Sequence, residues 1–155
     1  NMMHVKELWE SPYNLLGEGI KVGVVDGGEI RATHREFIHN GSSRITVKSQ
    51  NGSLSHHATH VAGTIGAEGL NPYAHGMANR SLIYSYYFND AYFSTATYKA
   101  YAEDDIKLTN HSYGYSEKVR LGEYDYEASS QDDNIYKHPN ILQFLAAGND
   151  RGSTG

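Results

Sequence analysis

Short apolar, β-branched runs alternate along this chain with segments of helical periodicity, and this alternation strongly constrains the fold. We predict strands at 20–25, 44–48, 81–86, 106–110 and 141–146, and helices at 57–66, at about 94–103 and within 117–140. Strands separated by helices need crossover connections, so they pair in parallel and helices cover the sheet. The predicted fold class is α/β, a mostly parallel sheet flanked by helices on both faces.

Composition fits a single domain over residues 1–155 and argues against several partners. Hydrophobic residues make up 39% of the 155, which is enough for a core, and cysteine is absent. The formal charge is -5 without a Lys/Arg cluster, and the 13 tyrosines are not interleaved with basic residues, so we expect no nucleic-acid partner. No apolar run reaches the roughly 20 residues of a membrane span. Residues 1–4 lack the basic start and apolar core of a signal peptide. This absence decides little, because a processed chain would have lost its signal peptide.

Polar and glycine residues follow three of the predicted strands at the point where each strand ends. Asp26 comes directly after Val22-Gly-Val-Val, Asn110 to Gly114 follow a later strand, and Gly148-Asn149 follow the last one. Ligand sites of parallel sheets gather outside the carboxyl ends of the strands. Asp26 alone has a plain alternative as a turn or helix-cap residue, but together these segments predict a site at one edge of the sheet.

Three histidines in five residues, His56, His57 and His60, open a predicted helix of small side chains. His56 and His60 have the spacing of two zinc ligands on one helical face. A zinc-protease helix needs a glutamate after its first histidine, whereas this chain has His57, and we find no nearby acidic residue suited as a third ligand. We therefore predict no metal site here, with zinc kept as the alternative.

Four segments, taken in order, resemble those of the subtilisin-like serine proteases, the subtilase family. They are Val22-Gly-Val-Val-Asp26-Gly-Gly, His57-Ala-Thr-His-Val-Ala-Gly-Thr-Ile65, Asn110-His-Ser-Tyr-Gly114 and Phe144-Leu-Ala-Ala-Gly-Asn149. The second departs from the usual His-Gly-Thr-His-Val-Ala-Gly by Ala58. The resemblance runs from about Gly17 to Asn149, and a chance match of four ordered segments is very improbable.

The resemblance implies a role for each matching position. His57 would be the general base, Asp26 would orient and stabilise its ring, and Asn149 would donate to the oxyanion. An extended polypeptide substrate would pair with the backbone of Ser112, Tyr113 and Gly114, while Ala147 and Gly148 would line the specificity pocket. Thr59 and His60 also belong to the second segment, and we predict a structural role for both, with His60 hydrogen-bonded within the helix packing.

The family's nucleophilic serine, in a Gly-Thr-Ser-Met-Ala segment, has no counterpart after Asn149. We therefore expect the chain to be the N-terminal portion of one peptidase domain, inactive alone, with the C-terminal remainder supplying the serine. A non-catalytic peptide-binding pseudoprotease is the alternative. The resemblance further implies no cofactor for catalysis, a structural calcium ion whose ligands are unassigned, and a secreted or cell-surface location.

Overall fold

The computed structural model describes residues 4–49, 53–89, 93–114 and 122–149. Its helices are α1 (Val5–Trp9), α2 (His56–Gly66), α3 (Phe93–Asp104) and α4 (Tyr126–Lys137). Its strands are β1 (Lys21–Asp26), β2 (Ile38–His39), β3 (Ser42–Ser43), β4 (Ile45–Val47), β5 (Leu82–Tyr87), β6 (Leu108–His111) and β7 (Leu142–Leu145). Two short 3₁₀ helices occupy Arg35–Phe37 and Pro72–Ala74.

Five strands form one parallel sheet in the order β4-β5-β1-β6-β7. Each of the five predicted strands is found, with ends displaced by one or two residues. The largest displacement is at β6, which begins at Leu108 rather than Ile106, because the Ile106 amide donates to Ala100 O at 3.0 Å in the connection from α3. The first strand in the sequence, β1, therefore lies in the middle of the sheet.

Successive residues of β1 point to opposite faces, and the two faces carry different helices. Val24 packs with Ala58 and Ala62 of α2, whereas Val25 packs with Ala96 and Ala100 of α3. All six residues are at most 3% exposed. Helix α4 packs against α3. The predicted class, a parallel sheet with helices on both faces, is thus confirmed.

Helix α1, the β2–β3 hairpin and the two 3₁₀ helices were not predicted from the sequence. Helix α1 is a single short turn, held by the Trp9 indole N–H, which donates to Met77 O at 2.9 Å. Strands β2 and β3 form a hairpin around Asn40 and Gly41, which have φ of 49° and 79°. Within the described ranges, no helix combines the length and apolarity that a membrane crossing requires.

Candidate active site

Asp26 is the last residue of β1, and its side chain is only 3% exposed. The backbone N–H of Gly27 donates to its Oδ1 at 2.7 Å. A buried carboxylate needs such donors, because leaving it without them costs several kcal/mol, on the order of the desolvation penalty of a charge. The central strand therefore fixes this carboxylate at the carboxyl edge of the sheet.

His57 is the second residue of α2, and the start of this helix is tied to the end of β1. Ser55 caps the helix by accepting from the Ala58 N–H at 3.1 Å. Upstream, Glu29 N donates to Ser53 O and Ser55 N donates to Glu29 O, at 3.1 and 2.9 Å. A Cβ on Gly28 would lie 2.7 Å from Ser53 O, so this close approach requires glycine.

The structure brings Asp26 and His57 together. Nδ1 of His57 lies 2.9 Å from Oδ1 and 2.8 Å from Oδ2 of Asp26. A carboxylate only accepts hydrogen bonds, so the proton of a neutral ring is on Nδ1 and the lone pair is on Nε2. The His57 side chain is 60% exposed. The arrangement thus has a buried acceptor behind an accessible imidazole, which suits proton transfer to and from a substrate.

The predicted peptide-binding residues directly follow β6, the strand beside β1. Ser112 and Tyr113 are half-buried and Gly114 is exposed. The Asn110 amide donates to the Ser112 hydroxyl at 2.9 Å. Tyr113 instead contacts Phe88, with ring centroids 5.0 Å apart. The segment leaves the sheet at the same edge as Asp26.

Ala147, Gly148 and Asn149 follow β7, which pairs with β6 on the side away from β1. All three are exposed, and Gly148 has φ of 100°, a left-handed conformation that favours glycine. Asn149 forms no hydrogen bond with any residue in the described ranges. The structure therefore places it at the predicted edge, with β6 between its strand and that of Asp26, and without a hydrogen bond to His57.

The neighbouring histidines behave differently from His57. His56 and His60 are both exposed on α2. Within the described ranges, no group of three His, Asp or Glu side chains is arranged to hold a metal ion, so the zinc alternative gains no third ligand. The prediction for His60 is wrong in detail, because its exposed ring has no hydrogen-bond partner there and only its backbone carbonyl accepts, from the Thr64 hydroxyl at 3.2 Å.

Calcium does not fit the loop from 68 to 75. The Glu36 carboxylate beside it accepts from the backbone N–H groups of Gly69, Leu70 and Asn71, at 2.9–3.2 Å. The Glu68 carboxylate is paired with Arg80 at 2.6 Å. Both carboxylates therefore have protein donors where a calcium ion would need free oxygens. Structural calcium stays a prediction without assigned ligands.

Sequence reasoning missed two supports of the site. Ser55 precedes the histidine cluster as a helix-cap residue type, a signal that was available in the sequence. Thr59, read only as a structural part of its motif, accepts from the Arg31 N–H at 3.0 Å and so ties α2 to the segment after β1. That contact spans 28 residues and has no local sequence signal.

Comparisons with known proteins match this chain to one family. The model of the subtilase family, peptidase S8, matches residues 17–155. Among solved structures, the chain is similar to the CspB protease of Clostridium perfringens, with a TM-score of 0.76 and 25% sequence identity. The match covers 96% of this chain and 40% of the protease chain. The chain thus spans well under half of that protein's length.

Proposed function

The chain belongs to the subtilase family, and from this premise we propose that it carries the base and the aspartate of a subtilisin-type serine endopeptidase. The observation that carries the proposal is the His57–Asp26 pair, with Nδ1 held at 2.8 and 2.9 Å from the two carboxylate oxygens. A buried aspartate behind an exposed imidazole is the arrangement that acyl transfer to a serine hydroxyl needs.

In the proposed reaction, Nε2 of His57 removes the proton of a serine hydroxyl as that oxygen attacks the peptide carbonyl carbon. The imidazolium then gives this proton to the leaving amine. Asp26 stabilises the positive charge that develops on the ring and keeps the ring in the required tautomer. Its burial matters here, because a poorly solvated carboxylate interacts more strongly with the imidazolium than an exposed one would.

Asn149 is proposed to donate its side-chain amide to the developing oxyanion, and its exposed position beyond β7 leaves it free to do so. An extended polypeptide would pair with the backbone of Ser112, Tyr113 and Gly114, because these residues continue past the last ladder pair of β6. Ala147 and Gly148 would line the primary specificity pocket. All of these positions lie at the carboxyl edge of one parallel sheet.

The nucleophilic serine is proposed to come from outside these 155 residues. In the described ranges, no serine hydroxyl is hydrogen-bonded to the His57 ring, and the Ser112 hydroxyl is paired with Asn110. Ser153 and Ser116 lie outside the described residues. Secretion or display at the cell surface is part of the proposal by family resemblance alone.

The test is covalent labelling with a serine-directed fluorophosphonate, alongside hydrolysis of an unfolded polypeptide. We expect the natural full-length protein to be labelled and to cleave, and His57→Ala to lose both activities. His4→Ala, an exposed histidine at the start of α1, is the matched control and keeps them. The polypeptide of residues 1–155 alone stays unlabelled.

Two outcomes would contradict this proposal. Labelling of the 155-residue polypeptide would place the nucleophile inside it. A full-length protein that binds extended peptides but neither cleaves nor reacts would be a non-catalytic binding module.

A further inference from the structure

The side chains at the end of β6 form two sets on opposite faces of the sheet. Thr109 and His111 pair in register with Gly23 and Val25 of β1, and Val25 faces α3. Tyr113 packs against the same core cluster. Alternation therefore places Thr109, His111 and Tyr113 on the α3 face, and Asn110 and Ser112 on the face of α2 and His57.

On the α3 face, a hydrogen-bonded column runs up the strand toward the candidate site. The His111 ring is central: Nε2 lies 2.9 Å from the Thr109 hydroxyl oxygen, and Nδ1 lies 2.6 Å from the Tyr113 hydroxyl oxygen. A neutral imidazole has one donor and one acceptor, and a hydroxyl can complement either. Both nitrogens of a side chain only 1% exposed are therefore satisfied.

His111 is too buried to exchange protons with a substrate. Burial lowers its pKa to about 4, so the ring is neutral at pH 7. The contacts of His111 instead hold Tyr113. The hydroxyl of that tyrosine is fixed from below by His111, and its ring meets Phe88 edge to face at 60°.

Phe88 connects this column to the edge of the sheet that carries Asp26. Its backbone N–H donates to Asp26 O at 3.1 Å, and its ring lies 3.3 Å from where a Cβ on Gly27 would be. Tyr113 is thereby held at its hydroxyl by His111 and at its ring by Phe88, which is hydrogen-bonded to β1. Fixing the Tyr113 side chain in this way also restricts the backbone of residues 112–114.

We propose that His111 is a positioning residue, which fixes the peptide-binding segment Ser112–Gly114 through its hydrogen bond to the Tyr113 hydroxyl. The inference rests on the proposed function, because it is that function which makes the segment a binding edge. An edge already held in place loses less conformational freedom when a peptide pairs with it, so the effect appears in substrate binding.

Steady-state kinetics of the natural full-length protein test the inference. Tyr113→Phe removes one hydroxyl and keeps the ring. We expect it to raise KM for an extended peptide about 5- to 10-fold with kcat nearly unchanged, the size of one lost buried hydrogen bond. The rate of inactivation by a small fluorophosphonate that does not reach the segment stays at the wild-type value. His111→Leu acts in the same direction, and His111→Asn, which keeps a polar group near Nδ1, restores part of the loss.

The matched control is Tyr86→Phe. Tyr86 is also buried on the α3 face, at 3% exposed, and its hydroxyl donates to Asp104 at 2.6 Å, away from the segment. We expect its KM to match the wild type. In parallel, hydrogen exchange of the amides at 112–114 speeds up in Tyr113→Phe and His111→Leu, and not in Tyr86→Phe.

A KM and an exchange rate of Tyr113→Phe equal to those of the wild type would overturn the inference, even if His111→Leu failed to fold. An equal rise of KM in Tyr86→Phe would do the same, because it would show general loosening of the core. If the wild type neither cleaves nor reacts, the proposed function fails on its own, and the exchange rates still decide whether His111 orders the segment.

Discussion

Nδ1 of His57 lies 2.9 Å from Oδ1 and 2.8 Å from Oδ2 of Asp26, so both carboxylate oxygens face one ring nitrogen. The two residues are 31 positions apart in sequence. They meet because Asp26 ends the central strand and His57 lies in the first turn of the helix packed on that strand. Changes to either residue or to the connection between them should therefore affect turnover in separable ways.

Replacing the acceptor is the most direct change. Asp26→Asn keeps the shape but offers an amide that favours the wrong tautomer of His57, and we expect kcat of the full-length protein to fall about 10⁴-fold with an unchanged fold. Asp105→Asn, an exposed carboxylate paired with Lys107, is the control. Circular dichroism and peptide kinetics measure both. Wild-type kcat in Asp26→Asn would remove the aspartate from the mechanism.

Asn149→Ala tests the oxyanion donor. The amide would act on charge that develops only in the transition state, so kcat should drop by about 10²–10³ while KM changes little. Asn140→Ala, an exposed asparagine just before β7, should behave as wild type. A rise in KM at constant kcat would instead assign Asn149 to ground-state binding of the substrate.

Gly28→Ala perturbs the connection between β1 and α2. The new methyl carbon would lie 2.7 Å from Ser53 O and 2.8 Å from the Ser55 Cβ, so the backbone must shift, at a cost of about 1–3 kcal/mol in the free energy of unfolding. Because Ser55 caps α2, kcat should also fall. Gly27→Ala meets only the Phe88 ring at 3.3 Å and should cost less. Equal denaturation midpoints for the two variants would contradict this account.

The buried His111 predicts a loss of stability in acid. Burial lowers its pKa to about 4, below the unfolded value near 6.5, so only the unfolded chain takes up the proton between these values. The contribution of the neutral ring is complete above about pH 6.5 and is lost as the pH falls toward 4, up to roughly 3 kcal/mol.

Urea denaturation at pH 7 and pH 4 measures this contribution. The wild type should lose more stability between these pH values than His111→Asn, which cannot titrate at this position. The partners of the wild-type His111 ring are the hydroxyls of Thr109 and Tyr113, and neither hydroxyl changes charge between pH 4 and pH 7. The same loss in both proteins would show that other groups dominate.

The strands, the main helices and the edge that carries the site could be predicted because their signals are local. The apolar run ending in Asp26 predicts a strand by itself, and the small residues at helical spacing after His57 predict a helix by themselves. Their order identified the family, which the comparison confirmed. The roles of Asp26, His57 and Asn149 stay predictions, because they describe a reaction rather than a fold.

What was missed depends on contacts between distant residues. The guanidinium of Arg44 is 6% exposed and donates to Gly66 O at the end of α2, at 2.6 Å. The sequence predicted Arg44 only as the first residue of the strand at 44–48 and gave no indication of its burial. The Asn40-Gly41 pair is a hairpin signal, but the flanking strands have two residues each and no alternating pattern to reveal them.

The central position of β1 also has a consequence for the order of events during synthesis. Its two neighbours, β5 and β6, both come later in the chain, so the aspartate strand leaves the ribosome well before it has anything to pair with. Pairings this distant in sequence form slowly. Asp26 and His57 can therefore be enclosed by both neighbouring strands only after the chain has been made at least as far as residue 111, so the pair forms late in synthesis.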